Sequence, residues 1–288
     1  MFKATKFIPD SLFKFPSLGC GLDLGFPIWG LAPGSLFFCA VLVLLASPCL
    51  AQPKSGLRPP QVLNPVEAEE QGRALVADLL AQHPQENSTN TGVMRIRDSN
   101  GSQREVPIRF DVIAQADAWL NIYEASPVGK IPGERLTISH SDAKQNQYSL
   151  ERVPPGSSNS SNRKLSGNET MISFAGSDFW LVDLGLEFLH WPKQLLLKKE
   201  MRRSRSCNVL ESVNPQPIVG AYSRVRCWID IENDGIVMAE AYDSQDKLMK
   251  EFAPKEIKKI QGEWQLEEME IRNVQAGSRT RVVFNLGQ

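Results

Sequence analysis

Two carboxylates, Asp183 and Glu187, stand four residues apart in the stretch SDFWLVDLGLEFLHW (177–191). On a helix that spacing stacks them one turn apart on one face, and a carboxylate pair can do acid–base work. His190 falls on the same side. With Asp183 and Glu187 it reads as a narrow solvated stripe, with Leu181, Leu184, Leu186, Phe188 and Leu189 filling the apolar remainder. The chain has three histidines, His83, His140 and His190, none in an HExxH or HxH pattern, so a histidine metal site is poorly supported. A GxSxG elbow and a Walker loop are also missing. Nothing positive points to an enzyme, and the sequence calls for no metal and no cofactor.

The cysteines depend on where the chain is sent. Leu36–Ala46 is an unbroken apolar run, followed by SPCLA, with small residues at Cys49 and Ala51. This reads as an export signal over residues 1–51, because the run is shorter than the ~20 residues of a membrane span. An N-terminal anchor left uncleaved in the inner membrane is the alternative. Three of the five cysteines precede residue 52, leaving Cys207 and Cys227. A pair in an exported chain suggests one disulfide tying the loop 208–226, worth ~3 kcal/mol on the chain-entropy account. Two unpaired buried thiols are the other reading. No CxxC suggests redox chemistry.

Charge is nearly balanced. Taking the three lysines and two acidic residues of 1–51 from 32 basic and 33 acidic residues leaves a net charge of −2. That offers no global attraction to nucleic acid or anionic lipid. KKEMRRSRS (198–206) holds five basic residues. It reads as a strand edge kept charged against aggregation, and is the place to look for a lipid headgroup or anionic membrane patch.

These residues need elements to hold them. Residues 52–65 read as an extended proline-rich linker, and 66–82 as an amphipathic helix. β signals dominate from VMRIR (93–97) onward, through VPIRFDVIA (106–114), AWLNIYEA (118–125), ERLTISHS and NQYSLERV. Residues 153–168 read as a loop rich in Ser, Asn, Gly and Pro. Beyond Pro192 the chain alternates almost wholly as strands, with NDG (233–235) as a tight turn. Val225, Cys227, Ile229 and Ile231 lie on one face, and Arg226, Asp230 and Glu232 on the other. A long meander with one greasy face must cover it. The expected architecture is α+β, mainly β: one domain over 66–288, a strongly curved antiparallel sheet with the helices 66–82 and 178–191 on its concave side. Ser177 or Asp178 would cap the second helix, and Pro192 would stop it.

In order, the segments SDF (177–179), SCNVLE, YSRVRCWID, YDSQDKLMKEF (242–252), WQLEEMEI and GSRTRVVF resemble the LolA-like, outer-membrane lipoprotein-sorting family of the Gram-negative periplasm. Residues 170–284 carry most of the resemblance, and 66–169 fit in outline. It implies an incomplete β-barrel whose helices form a lid over an apolar cavity. In the best-known carriers an arginine inside the barrel latches the lid, and no residue here is matched to it. In a bacterial exported protein the Asn-x-Ser/Thr sequons at Asn87, Asn100, Asn159 and Asn168 are chance products of polar loops.

Phe110, Trp119 and Tyr123, then Phe179, Trp180, Phe188 and Trp191, are each most simply core residues. Phe110, Trp119, Phe179, Trp180, Leu184, Phe188 and Trp191 are the candidates for lining a lipid cavity, because such pockets are mostly apolar. The expected function is a monomeric, non-enzymatic periplasmic carrier that shields lipid acyl chains or lipoproteins between an inner-membrane donor and an outer-membrane acceptor. The alternative on the same fold is an envelope-stress regulator that binds a partner protein and reads lipid as a signal.

Overall fold

The computed structural model describes residues 64–141, 144–157, 159–260 and 263–286. The expected export signal and the linker up to residue 63 lie outside them. Thirteen strands follow one helix: β1 Ser88–Arg97, β2 Gln103–Ala114, β3 Ala118–Ala125, β4 Gly133–Ser141, β5 Lys144–Val153 and β6 Ser161–Leu165 form one run. After a crossover come β7 Lys193–Arg202, β8 Arg205–Val213, β9 Arg224–Asp230, β10 Ile236–Tyr242, β11 Leu248–Ile260, β12 Glu263–Asn273 and β13 Ser278–Phe284.

All thirteen join one sheet in the order β6-β5-β4-β3-β2-β1-β13-β12-β11-β10-β9-β8-β7. Each run is a hairpin meander. The two meet where β1 pairs antiparallel with β13, Gly92 opposite Phe284 and Arg97 opposite Arg279. The sheet is curved and open, with β6 and β7 as its free edges. The chain between those edges, residues 166–192, therefore crosses from one side of the opening to the other. The charged 198–206 stretch lies in and just after edge strand β7, where charge discourages edge pairing. Residues 161–165, expected as loop, form edge strand β6 against β5.

The helix α1, Pro65–Leu80, begins one residue earlier than its apolar pattern suggests. Asn64 caps it by accepting from Glu67 N at 2.9 Å, and proline at the first position loses no needed donor. Ala68, Gly72, Val76 and Leu79 are its buried face. Gly72 rests on the Gln194 backbone so closely that a Cβ would meet the carbonyl oxygen at 2.5 Å. The helix thus lies along β7.

The crossover corrects the expectation of one helix over 178–191. Over 178–191 there are a four-residue helix, α2 Leu181–Leu184, and a 3-10 turn, Glu187–His190. Leu186 between them sits at φ 49° and ψ 37°, which ends helical propagation. Gly185 is required there, because a Cβ would collide with the Tyr148 hydroxyl. The cap differs as well. Asp183 accepts from Trp180 N at 2.8 Å, while Ser177 and Asp178 bond elsewhere.

The expected disulfide is also corrected: Cys207 and Cys227 are free and buried. β8 and β9 are neighbours, but the register sets Cys207 opposite Asp230 and Cys227 opposite Leu210. Three residues of offset is ~10 Å along a strand and puts the side chains on opposite faces. Cys227 joins the inner core with Val225 and Ile229, whereas Cys207 sits in an outer patch with Val209, Trp228 and Met238. Burial pushes both thiols up in pKa.

Candidate functional site

The crossover roofs the inner face of the sheet, and a cavity of about 70 Å³ lies beneath it. Phe179, Leu184, Leu186 and Phe188 close it from above. Val225, Ile236, Ala239, Ala241, Phe252, Met269 and Ile271 form the floor on β9–β12. The two alanines are what leave room. Around this space the inner residues of both meanders form two apolar clusters, joined through Phe252.

Of the residues proposed from the sequence, Phe179, Leu184 and Phe188 line the cavity. Phe110 is one layer behind, stacked on the lining residue Tyr123 at 4.5 Å. Trp180 stacks on Tyr222 at 4.8 Å, outside the lining. Trp191 packs edge-on to Phe188 at 6.5 Å. Trp119 lies apart, stacked on His140 at 4.7 Å with His83 beside it. The sequence reading missed Tyr123, Tyr222 and Lys250 in the lining. Lys250 lies one alternation from Phe252 in the strand pattern MKEF, so its inward direction was legible.

Lys250 is the polar centre, 2% exposed. Its Nζ donates to Asp178 O at 2.7 Å, lies 3.5 Å from Asp183 Oδ2, and stands 3.6 Å above the Trp180 ring. The Tyr222 hydroxyl donates to Asp183 Oδ1 at 3.0 Å. Burial lowers the Lys250 pKa to about 8, against the pull of Asp183 and Asp178. Burial likewise raises the Asp183 pKa, opposed first by Lys250. The pair is thus a desolvated ion pair, and its charges hold each other in place.

Glu187 meets a different environment. It is 5% exposed and accepts from the Tyr148 hydroxyl at 3.0 Å. Asn146 donates to Gly185 O at 2.8 Å on the same side. With no cation paired to it among the described residues, burial raises its pKa to about 7, opposed by hydrogen bonds from Tyr148 and Asn146. The expected solvated stripe is therefore corrected, since Glu187 is buried and Asp183 is held in an ion pair. His190 is half-buried, with its pKa lowered by burial.

Both ends of the crossover are pinned. Asp178 accepts from Ser278 Oγ at 2.5 Å and Thr280 Oγ1 at 2.8 Å on β13. Arg104 on β2 donates to the carbonyls of Ala175 at 3.1 Å and Gly176 at 2.5 Å, and Glu134 accepts from Ala175 N. At the far end the Gln194 amide on β7 donates to Phe188 O at 2.9 Å and Trp191 O at 2.8 Å. The middle is held by Tyr123, whose hydroxyl donates to Leu184 O at 3.2 Å. The roof is bonded largely through its backbone carbonyls. Among the described residues no cluster of His, Cys, Asp and Glu could hold a metal ion, and no helix is long and apolar enough to cross a membrane.

An open antiparallel meander roofed by the crossover between its edges is a LolA-like fold. It superposes on the crystal structure of a DUF1329 family protein from Desulfovibrio piger with a TM-score of 0.61 at 19% identity, covering 76% of this chain and 92% of that one. A candidate outer membrane lipoprotein-sorting protein domain from Vibrio parahaemolyticus gives a TM-score of 0.61 at 18% identity, covering 76% and 94%. A LolA superfamily protein from Nitrosomonas europaea gives 0.50 at 16%, covering 76% and 91%. No curated protein matches the sequence. Residues 106–286, more than half the chain, match a family model described as "Uncharacterized protein", and the chain belongs to that family.

Proposed function

We propose that this protein is a carrier that shields lipid acyl chains beneath the 166–192 crossover, in lipoprotein or lipid transfer through the periplasm. One observation carries the reading: the inner face of an open sheet encloses an apolar cavity roofed by a segment that is tied down by a small set of buried polar bonds. The LolA-like fold supports the same reading. At about 70 Å³ the cavity is roughly half the size of the ~150 Å³ apolar cavity that admits benzene. An acyl chain would enter only as the roof lifts, breaking the Lys250–Asp183 and Tyr148–Glu187 contacts while the ends stay pinned. Each CH2 then hidden from water contributes about 0.8 kcal/mol, which a chain of several carbons accumulates against those contacts. The role is binding, with direction of transfer set by the affinities of donor and acceptor. The domain carrying it is taken as residues 66–288.

The test is binding of a fluorescent fatty-acyl probe to the full chain. Replacing Ala239 and Ala241 together by leucine would fill the floor and weaken binding at least tenfold, with the fold checked by circular dichroism. Phe188→Ala, which opens the same space, should tighten it. Unchanged affinity in both variants would overturn the proposal.

A further inference from the structure

The outer face of the sheet carries a second polar feature where the two meanders join. The register aligns Arg97 of β1 with Arg279 of β13, and Arg279 with Arg272 of β12. Neighbouring strands lie ~4.8 Å apart, so three guanidinium side chains start within ~10 Å of each other on one face. Their phase is opposite to the buried Met94, Ile96, Thr280, Val282 and Ile271, so they project away from the cavity side. They line a surface groove formed with the 98–101 turn, whose charged lining is five cations against two carboxylates.

Like charges placed directly opposite on a sheet are destabilising. Arg95 and Arg281, which also face each other, and Lys258 on the same face each have a carboxylate partner. Arg95 pairs with Glu105 at 3.0 Å, Lys258 with Glu267 at 2.8 Å, and Arg281 with Glu270 at 2.6 Å. Arg272 reaches Glu251 only at 3.4 Å. Arg97 and Arg279 have no carboxylate within ion-pair distance among the described residues. The two carboxylates in the groove are already engaged. Asp98 accepts from the backbone N–H groups of Asn100 and Ser102, and Glu270 is shared by Arg281 and Lys255. The groove therefore holds two uncompensated arginines beside a weakly compensated third.

We propose that this ladder is a binding site for a phosphate-type oxyanion, a free phosphate or the phosphate ester of a lipid headgroup. Planar guanidinium groups match such an oxyanion in bidentate fashion, and three in a row offer more donors than one anion can use. The ion would supply the charge that the strand register leaves out. The proposal does not depend on the cavity reading.

The experiment follows thermal melting of the full chain as inorganic phosphate is added at constant ionic strength set with sodium chloride. Phosphate should raise the melting temperature, and chloride should not. Arg97→Gln/Arg279→Gln should melt at or above the wild type without phosphate, because the repulsion is relieved, and should need at least tenfold more phosphate for the same shift. Lys258→Gln, on the same face, should respond like the wild type. Co-sedimentation with phosphatidylcholine vesicles, with and without phosphatidylglycerol, separates the sources. Pelleting only with phosphatidylglycerol, lost in the double variant, identifies a lipid phosphate; a melting shift without pelleting identifies a free one. An equal phosphate response in the wild type and the double variant would overturn the site.

Discussion

The two halves of the roof solve the burial of a carboxylate in opposite ways. In the first half Asp183 faces a cation, with Lys250 at 3.5 Å and the Tyr222 hydroxyl at 3.0 Å. In the second half Glu187, one turn later in sequence, faces only the neutral donors Tyr148 and Asn146. A charge in the first half is retained by its partner; a charge in the second costs burial energy that hydrogen bonds only partly return. The first half is thus the stronger clasp, while the second weakens as Glu187 ionises.

The largest expected effect comes from breaking the clasp. Lys250→Met leaves Asp183 buried without its cation and should lower stability by about 3–5 kcal/mol in urea melts. Adding Asp183→Asn should recover a good part of that loss, and a double variant no better than the single one would mean the pair is not the clasp. Next is the pH response of the second half. The folded pKa of Glu187, about 7, lies above its ordinary 4.5, so the folded state holds the extra proton between those values. Its contribution is fully present below about pH 4.5 and is lost as pH rises towards 7, by about 3 kcal/mol in all. His140, lowered by burial to about 4, acts in the opposite sense over pH 4 to 6.5. The test is therefore the stability difference between wild type and Glu187→Gln, which should fall steadily from pH 4.5 to 7.5; a flat difference would erase the contrast.

Smaller effects sharpen it. Tyr148→Phe removes the donor to Glu187 and should cost about 1–2 kcal/mol, more at pH 8 than at pH 5, as read by denaturant midpoints at the two values. Tyr222→Phe should cost about 1 kcal/mol or less with little pH dependence from pH 5 to 7. Asp183 there keeps Lys250 and the Trp180 N–H.

Much of the architecture was legible from alternation. Val225, Cys227 and Ile229 do face inward, and the late strands do form a meander over one greasy face. The roof was not legible as built. A helical wheel places Asp183, Glu187 and His190 in one stripe, but a wheel assumes the helix continues through Gly185 and Leu186. What interrupts it is the left-handed turn at Leu186, next to a Gly185 that the Tyr148 hydroxyl from β5 leaves no room to replace, a contact no local pattern records. The cysteines failed for a related reason. Hairpin length shows that two strands are adjacent, whereas face and register depend on an offset of single residues, and an odd offset separates the thiols. Lys250 is an intermediate case, visible in phase as an inward lysine but meaningful only once Asp183 is folded over it.

The seam at β1 and β13 bears on how the chain assembles. Every other ladder joins strands adjacent in sequence, whereas this one brings Gly92 to Phe284. Closing it costs about 2–3 kcal/mol more loop entropy than a ten-residue hairpin, and non-local pairings of this kind set slow folding rates. Each meander is locally wired, so the two can form before they meet. A chain divided within the crossover would then yield two fragments, each a complete run of hairpins. Mixed in solution they should reassemble along the seam, making the molecule a natural split-protein pair whose complementation reports on the roof.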